Sequence, residues 1–342
     1  MVKKPTAYLI IFGCILLLLF VNKQKISKEY YDIESIGNKI REVNLTDTSM
    51  YISSINDLML YNDSILLITD RHESVIRKYN LQNGNKDTFG RKGKGPGEFI
   101  IPNNIVHISD TLYINDERSS NVSKYTIDGK FLSYCKINTF VAGAKMIVGA
   151  KNRIMFIHRG AGSRKYLADA NEEYYDVQKC FKSMNIGRNA IGGFEYKGRV
   201  YFMNPYEMKI LYYDSQNQKC GSITLKDIKP KYNWEPYYNT VIGSDKINNI
   251  IVKDAFLSPR RIIKMEYNNN LYFIVLAINE HTKKGLYYIF NEYGNKMFTF
   301  YSEYDIIEYK SNRLKMIYFE RNTNTLSSYI EYEFNHEVGG IL

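Results

Sequence analysis

Three sets of side chains in this 342-residue chain have types and spacing that could do chemistry. Asp70, Asp116 and Asn204 each close an apolar run, the last residues of Leu67-Ile68-Thr69-Asp70, Ile114-Asn115-Asp116 and Tyr201-Phe202-Met203-Asn204. Oxygen ligands converging from separate segments suit calcium. An Asx side chain at a strand end equally bonds the turn that follows it. His72, His158 and His281 could serve a lyase or hydrolase if they met near one axis, and as loop histidines they would serve none. Gly90 to Gly97 reads Gly-Arg-Lys-Gly-Lys-Gly-Pro-Gly, glycine-rich and basic, so a phosphate cradle has to be weighed. It lacks the GxxxxGK[ST] order and does not open onto a helix, so the dipole-backed anion site is missing. Glycines in such a stretch let the chain turn sharply between two strands. No nucleophile elbow or Ser/His/Asp signature is present. Cys135, Cys180 and Cys220 are far apart and without CxxC spacing, which implies neither zinc nor a disulfide framework. With no complete acid, base or nucleophile constellation, the expectation is no catalysis, no cofactor and no metal.

The elements that must carry these residues repeat. Asp70 and Asp116 are 116 − 70 = 46 residues apart, and Tyr79 and Tyr125 are 125 − 79 = 46 apart. Lys78 and Lys124 precede those tyrosines, and Ser74 and Ser120 fall in the same register. Tight turns follow at Thr126-Ile127-Asp128-Gly129, Asp214-Ser215-Gln216-Asn217 and Asn291-Glu292-Tyr293-Gly294, each expected to hold a left-handed residue at its fourth place, where Gly and Asn are tolerated. A period in the forties built from about four short strands is the signature of a β-propeller. Tyrosine, with 31 copies, suits such a fold because its ring packs between blades while its hydroxyl reaches the edge.

The order Phe89-Gly90-Arg91-Lys92-Gly93-Lys94-Gly95-Pro96-Gly97-Glu98-Phe99, then Leu112 to Asp116, Val122 to Tyr125 and Asp128-Gly129-Lys130, resembles the NHL repeat of six-bladed propellers of bacterial envelopes. The resemblance implies an all-β, six-bladed propeller with four-stranded antiparallel blades. Blade one is expected over Ile55 to Phe89 and blade two over Ile101 to Ile137. Blade three starts near Ala144, with later strands obscured over Gly160 to Glu173. Blade four holds Arg199 to Met203 and Ile210 to Tyr213, and an insertion follows from Lys229 to Arg261. Blade five holds Leu271 to Ala277 and Leu286 to Phe290. Blade six shows only three strands before the sequence ends, so a strand from Ile36 to Leu45 is expected to complete it and remove both exposed edges.

In a propeller the loops between second and third strands share a face with the blade-to-blade joints. Arg71, His72, Arg91, Lys92, Lys94 and Arg118 all sort to that face, whereas turns such as Asn62-Asp63, Ser109-Asp110 and Asp128-Gly129 sort to the other. With a net charge of +10, this predicts one basic binding face for an anionic partner.

At the N-terminus Lys3-Lys4 precede a 15-residue apolar run, Ala7 to Val21. A spanning helix needs about 17–25 residues, so the run reads as a short anchor or a signal core. Ile11-Phe12-Gly13-Cys14 resembles a lipoprotein box, which would make Cys14 a lipid attachment site, although Phe12 is bulky for that position and Ile15 to Phe20 would leave a hydrophobic tail. All three alternatives (anchor, lipoprotein, cleaved signal) export the rest. Residues 1–25 are therefore read as signal or anchor, 26–35 as tether and 36–342 as propeller. The predicted protein is a monomeric, membrane-tethered binding module of the cell envelope for a protein, peptide or anionic ligand, with no nucleic acid. The alternative is an envelope lyase or hydrolase with a central metal or His site.

Overall fold

The structure, a computed structural model, describes residues 31–45, 52–119, 121–136, 145–149, 152–157, 166–168, 174–176, 191–204, 208–227, 258–278, 285–320 and 325–342. The strands form five four-stranded sheets and one five-stranded sheet, with a two-stranded ribbon between the first two. Their innermost strands, Ile55–Tyr61, Pro102–Ile108, Lys145–Gly149, Ile191–Tyr196, Ser258–Tyr267 and Asp305–Lys310, touch one another in sequence, and the sixth touches the first. A closed ring of six sheets is a six-bladed β-propeller.

The second strand of each blade shows why the ring is stable. In Ile65–Asp70 the residues Leu66, Leu67 and Ile68 are all fully buried. A strand covered by a blade on each side cannot alternate apolar and polar, so it reads as a continuous apolar run. The outer strand of blade two, Phe131–Lys136, has solvent along its edge and exposes Leu132, Ser133 and Tyr134. Tyr79 and Tyr125, one repeat apart, occupy equivalent places. Tyr79 is buried in the cluster between blades six and one, and Tyr125 in the cluster between blades one and two.

Blade six is completed as expected. The strand Gly37–Asn44 pairs antiparallel with Thr325–Phe334, from Gly37 opposite Phe334 to Asn44 opposite Ser328. Three expectations are corrected. Residues Tyr31 to Ser35, read as part of a polar tether, belong to the ring: Tyr31–Asp32 adds a parallel fifth strand beside Phe300 and Tyr301 of blade five, and Ile33 of the following helical turn is buried in its core together with Ile36. The apolar spacing of two isoleucines in a polar stretch is what drives them inward. The insertion expected to run to Arg261 ends earlier, because Ser258–Tyr267 is the long inner strand of blade five. In blade four the left-handed residue is Gln218 and not Asn217, since Asp214 accepts the N–H groups of both Gln216 and Asn217 and so lengthens the turn by one residue. The turns of blades two and five hold Gly129 and Gly294 in the left-handed region as expected. Blade three adds Tyr166–Ala168 and Tyr174–Asp176 in the stretch where the sequence shows no clear strand. The apolar run 7–21, Cys14 and residues 229–257 of the insertion lie outside the described residues.

Candidate functional site

The joint between blades one and two is a knot tied around its own carboxylate. Arg91–Lys92 and Glu98–Phe99 pair as a short parallel ribbon, and Gly93 N–H donates to the Phe99 carbonyl at 2.9 Å. Glu98 folds back into the loop: Oε1 accepts from Arg91 Nε at 2.8 Å and Oε2 from Gly95 N–H at 2.8 Å. The Gly95 N–H first, and Arg91 next, hold this carboxyl below its ordinary range. A Cβ on Gly93 would stand 2.0 Å from Glu98 Oε2, so the glycine is there for close approach. The resemblance to a phosphate cradle is real in its geometry, but the cradle already holds an anion belonging to the chain.

The second-to-third-strand loop of blade two stands beside this knot. Asp116, buried at its base, accepts N–H groups of Ile100 at 2.5 Å, Ile101 at 3.2 Å and Arg118 at 2.8 Å. Asp70 does the same in blade one, accepting from Ser53 Oγ at 2.6 Å, Ser53 N–H at 3.2 Å and Arg77 Nε at 2.9 Å. Both carboxylates are therefore used to pin the chain entering each blade, which is what the 46-residue repeat requires of them. Among the described residues no group of three or more His, Cys, Asp or Glu side chains is placed to hold a metal. The side chain of Asn204 lies outside the described residues.

Knot and loop enclose a cavity of about 340 Å³ whose lining includes Lys94, Arg118, Asn121, Ser123 and Tyr134. Two of the six predicted binding residues, Lys94 and Arg118, thus share one hollow. Lys92 is exposed on the ribbon beside it. Arg71 and Arg91 differ from these three, because each has a carboxylate partner: Arg71 Nη2 lies 3.4 Å from Glu117 and Arg91 is held by Glu98. Lys92, Lys94 and Arg118 form no ion pair with a described residue. His72 is exposed in the loop next to Arg71. His107 sits at the opposite end of its blade, edge-on to Tyr61 at 5.1 Å, with Nδ1 3.2 Å from the Ser109 carbonyl. His158 and His281 lie outside the described residues.

Sequence reasoning missed two features. One is the polar lining from Asn121, Ser123 and Tyr134. Ser123 and Tyr134 are register partners on neighbouring strands, and Asn121 stands two residues before Ser123, so all three share a face. The other is a polar network across the inner strands. Asp57 of blade one accepts from the Asn104 side-chain amide and, at 3.1 Å, from Ile105 N–H of blade two, and it lies 3.6 Å from Lys145 of blade three. Its signal was available: Asp57 opposite Thr69 and Asn104 opposite Asn115 are equivalent places in successive blades, 104 − 57 = 47 residues apart, polar residues repeated inside largely apolar strands.

Cys220 on the outer strand of blade four is disulfide-bonded, with a partner outside the described residues, and Cys135 is free. This corrects the expectation that the cysteines imply no disulfide.

Fold and site together define a six-bladed propeller with a polar hollow between its first two blades, lined by Lys94 and Arg118 and by Glu98 and Asp116. The chain belongs to the DUF5128 family, described as a 6-bladed beta-propeller, whose match spans residues 43–238. Among solved structures it is similar to a candidate exported protein from Bacteroides fragilis NCTC 9343, at 13% identity and TM-score 0.61, covering 89% of this chain and 97% of that one. It is also similar to a member of the DUF4221 family from Bacteroides vulgatus ATCC 8482, at 12% identity and TM-score 0.57, covering 88% and 98%. Both likenesses concern the fold alone. No curated protein matches the chain in sequence.

Proposed function

We propose that the chain is an exported, membrane-tethered propeller that binds an anionic partner on the face shared by the blade one–two joint and the second-to-third-strand loops, and that it catalyses nothing. The observation that carries the reading is the asymmetry of charge around the hollow. Asp116 and Glu98 also line it, but Glu98 is paired with Arg91, and around the hollow and its ribbon four cations, Arg91, Lys92, Lys94 and Arg118, stand against these two carboxylates, with Lys94 and Arg118 facing the space without an ion pair among the described residues. Uncompensated cations on a concave surface attract and steer anions, with binding that weakens as salt rises. Export is supported by the apolar run from Ala7 to Val21 behind Lys3-Lys4 and by the disulfide at Cys220, since disulfides persist in oxidising compartments. The name of the Bacteroides fragilis relative points the same way. The tether is residues 7–21, or a lipid on Cys14. The repeat is read as NHL-like on the order Phe89 to Phe99, Leu112 to Asp116, Val122 to Tyr125 and Asp128 to Lys130.

The test changes Lys92, Lys94 and Arg118 together to Glu and captures partners from envelope extract at low and moderate salt. Single exposed charges are worth about 0–1 kcal/mol, so the triple change is needed. Capture falls markedly while the melting temperature stays within a degree or two. An unchanged partner set at both salt levels would sink the reading.

A further inference from the structure

We infer that the hollow between blades one and two takes an acidic sugar residue, a uronate ring. This rests on the reading of the basic face given above and names its ligand class. Four observations point to it. First, the volume of about 340 Å³ is at the small end of ligand pockets, enough for one ring and its substituents but not for a folded peptide segment. Second, the anion-binding capacity comes from side chains only. The loop amides that would cradle a phosphate are taken by the chain: Gly95 N–H holds Glu98, and Gly93 N–H bonds the Phe99 carbonyl. The Glu98 and Asp116 carboxylates that also line the space are bonded to Arg91 and to backbone N–H groups, which leaves Lys94 and Arg118 for a ligand, and a guanidinium fork matches a planar carboxylate. Third, Asn121 and Ser123 offer an amide and a hydroxyl into the same space, and neither side chain is bonded to a described residue. Such groups pair with ring hydroxyls and have no use for a bare inorganic anion. Fourth, Tyr134 is 52% exposed on an outer strand, where a large aromatic ring is otherwise unfavoured. It lines the cavity and presents an apolar face with a polar tip, which suits the C–H face of a sugar. The position is built and not accidental: Ser123 and Tyr134 are held opposite one another by strand register, and Phe131 packs on Gly97, a Cβ on which would lie 3.5 Å from its ring, so the joint is seated on the same strand.

The experiment titrates the full-length protein with glucuronate, glucose, inorganic phosphate and a short poly-glutamate peptide, by calorimetry at low salt. Saturable binding of glucuronate is expected, at least tenfold tighter than glucose or phosphate. Arg118→Gln and Lys94→Gln should each weaken it about fivefold or more. Tyr134→Ala should weaken it similarly while Tyr134→Phe keeps it, with thermal melts confirming that every variant is folded. Phosphate binding as tight as glucuronate and indifferent to Tyr134→Ala would overturn the inference and leave a simple anion site. Tighter binding of poly-glutamate would overturn it in favour of a peptide. If glucuronate fails to bind but the Lys92/Lys94/Arg118 triple variant still loses its envelope partner, the sugar assignment alone falls. If that capture is also unchanged, the basic-face reading falls with it.

Discussion

Blade one meets its two neighbours in opposite ways. Toward blade two the chain is continuous, and the contact is aromatic: Tyr125 sits 5.1 Å from Phe89, 5.8 Å from Phe99 and 5.5 Å from Phe131, ring centre to ring centre. Toward blade six only the closing strand, Gly37–Asn44, is continuous in the chain with blade one, and the apolar cluster of Leu66, Ile68, Tyr79, Ile317 and Tyr329 is overlaid with charge. Arg41 of the closing strand lies 3.3 Å from Glu331 and donates to the Leu81 carbonyl of blade one at 2.8 Å, so one side chain joins three elements. Arg313 holds the other oxygen of Glu331 at 3.1 Å. Lys315, only 3% exposed, reaches Asp63 of blade one at 2.5 Å and Glu308 at 3.3 Å, and Lys310 adds a second bond to Asp63 at 3.1 Å.

The difference follows from what each junction has to specify. At the joint, covalent continuity already sets which blade comes next, and the chain needs freedom to turn, hence Gly90 and Gly97 at positive φ. At the seam the other three strands of blade six, Asp305–Lys310, Arg313–Glu320 and Thr325–Phe334, reach blade one only by contact, so contact chooses their register. Apolar surface is non-directional, so register comes from directional charge pairs, each of which is costly to leave unmet once buried.

The largest effect separates the two junctions by deletion. Removing residues 1–30 leaves both intact and should change stability by no more than about 1 kcal/mol. Removing residues 1–46 strips the closing strand along with Ile33, Ile36 and Leu45, each at most 3% exposed. At about 1.5–3 kcal/mol per buried aliphatic side chain, the loss is roughly 5–9 kcal/mol before the bare sheet edge is counted. Thermal melts of the two truncations decide it, and equal midpoints would refute the closure.

Lys315→Ala comes next. It leaves Asp63 and Glu308 facing each other's side of the seam without their shared cation, and we expect a loss of about 3 kcal/mol, at the lower end for a broken buried pair because Asp63 is half-exposed. Burial pulls the Asp63 carboxyl upward, but the bonds from Lys315 and Lys310 outweigh it and hold its pKa below the ordinary value. A carboxyl lowered by folding stabilises the native state above its unfolded pKa, about 3.9, and that contribution disappears as pH falls through the lowered folded value. Wild type should therefore lose seam stability in acid, and Lys315→Ala should show a flatter profile below about pH 4 in chemical denaturation.

The smallest effect belongs to the joint. Gly90→Ala must hold φ at +77° and place a Cβ 2.5 Å from the Phe99 ring, for a cost of about 2 kcal/mol. Gly84→Ala has φ +73° but nothing within 4 Å, and should cost about 1 kcal/mol. If the two variants melt together, the joint tolerates displacement of Phe99 and the contrast with the seam is weaker than the contacts imply.

Much of this was legible in the chain because a repeat fold writes its local rules several times. Asp70 and Asp116 recur for the same hydrogen bonds, Tyr79 and Tyr125 for the same inter-blade burial, and Gly129 and Gly294 for the same left-handed turn; the one strand missing from blade six pointed to Ile36 to Leu45, where Gly37–Asn44 closes the ring. These are short-range demands, met within one blade or by its immediate successor. What the sequence left open depends on side chains from different repeats meeting across the stack. That Glu117 neutralises Arg71, that Lys94 and Arg118 share a hollow, and that Lys315 is buried against Asp63 are decided by the rotation from one blade to the next. Periodicity carries the identity of each blade's residues, but charge compensation and cavity shape depend on distances between blades, which only the closed ring sets.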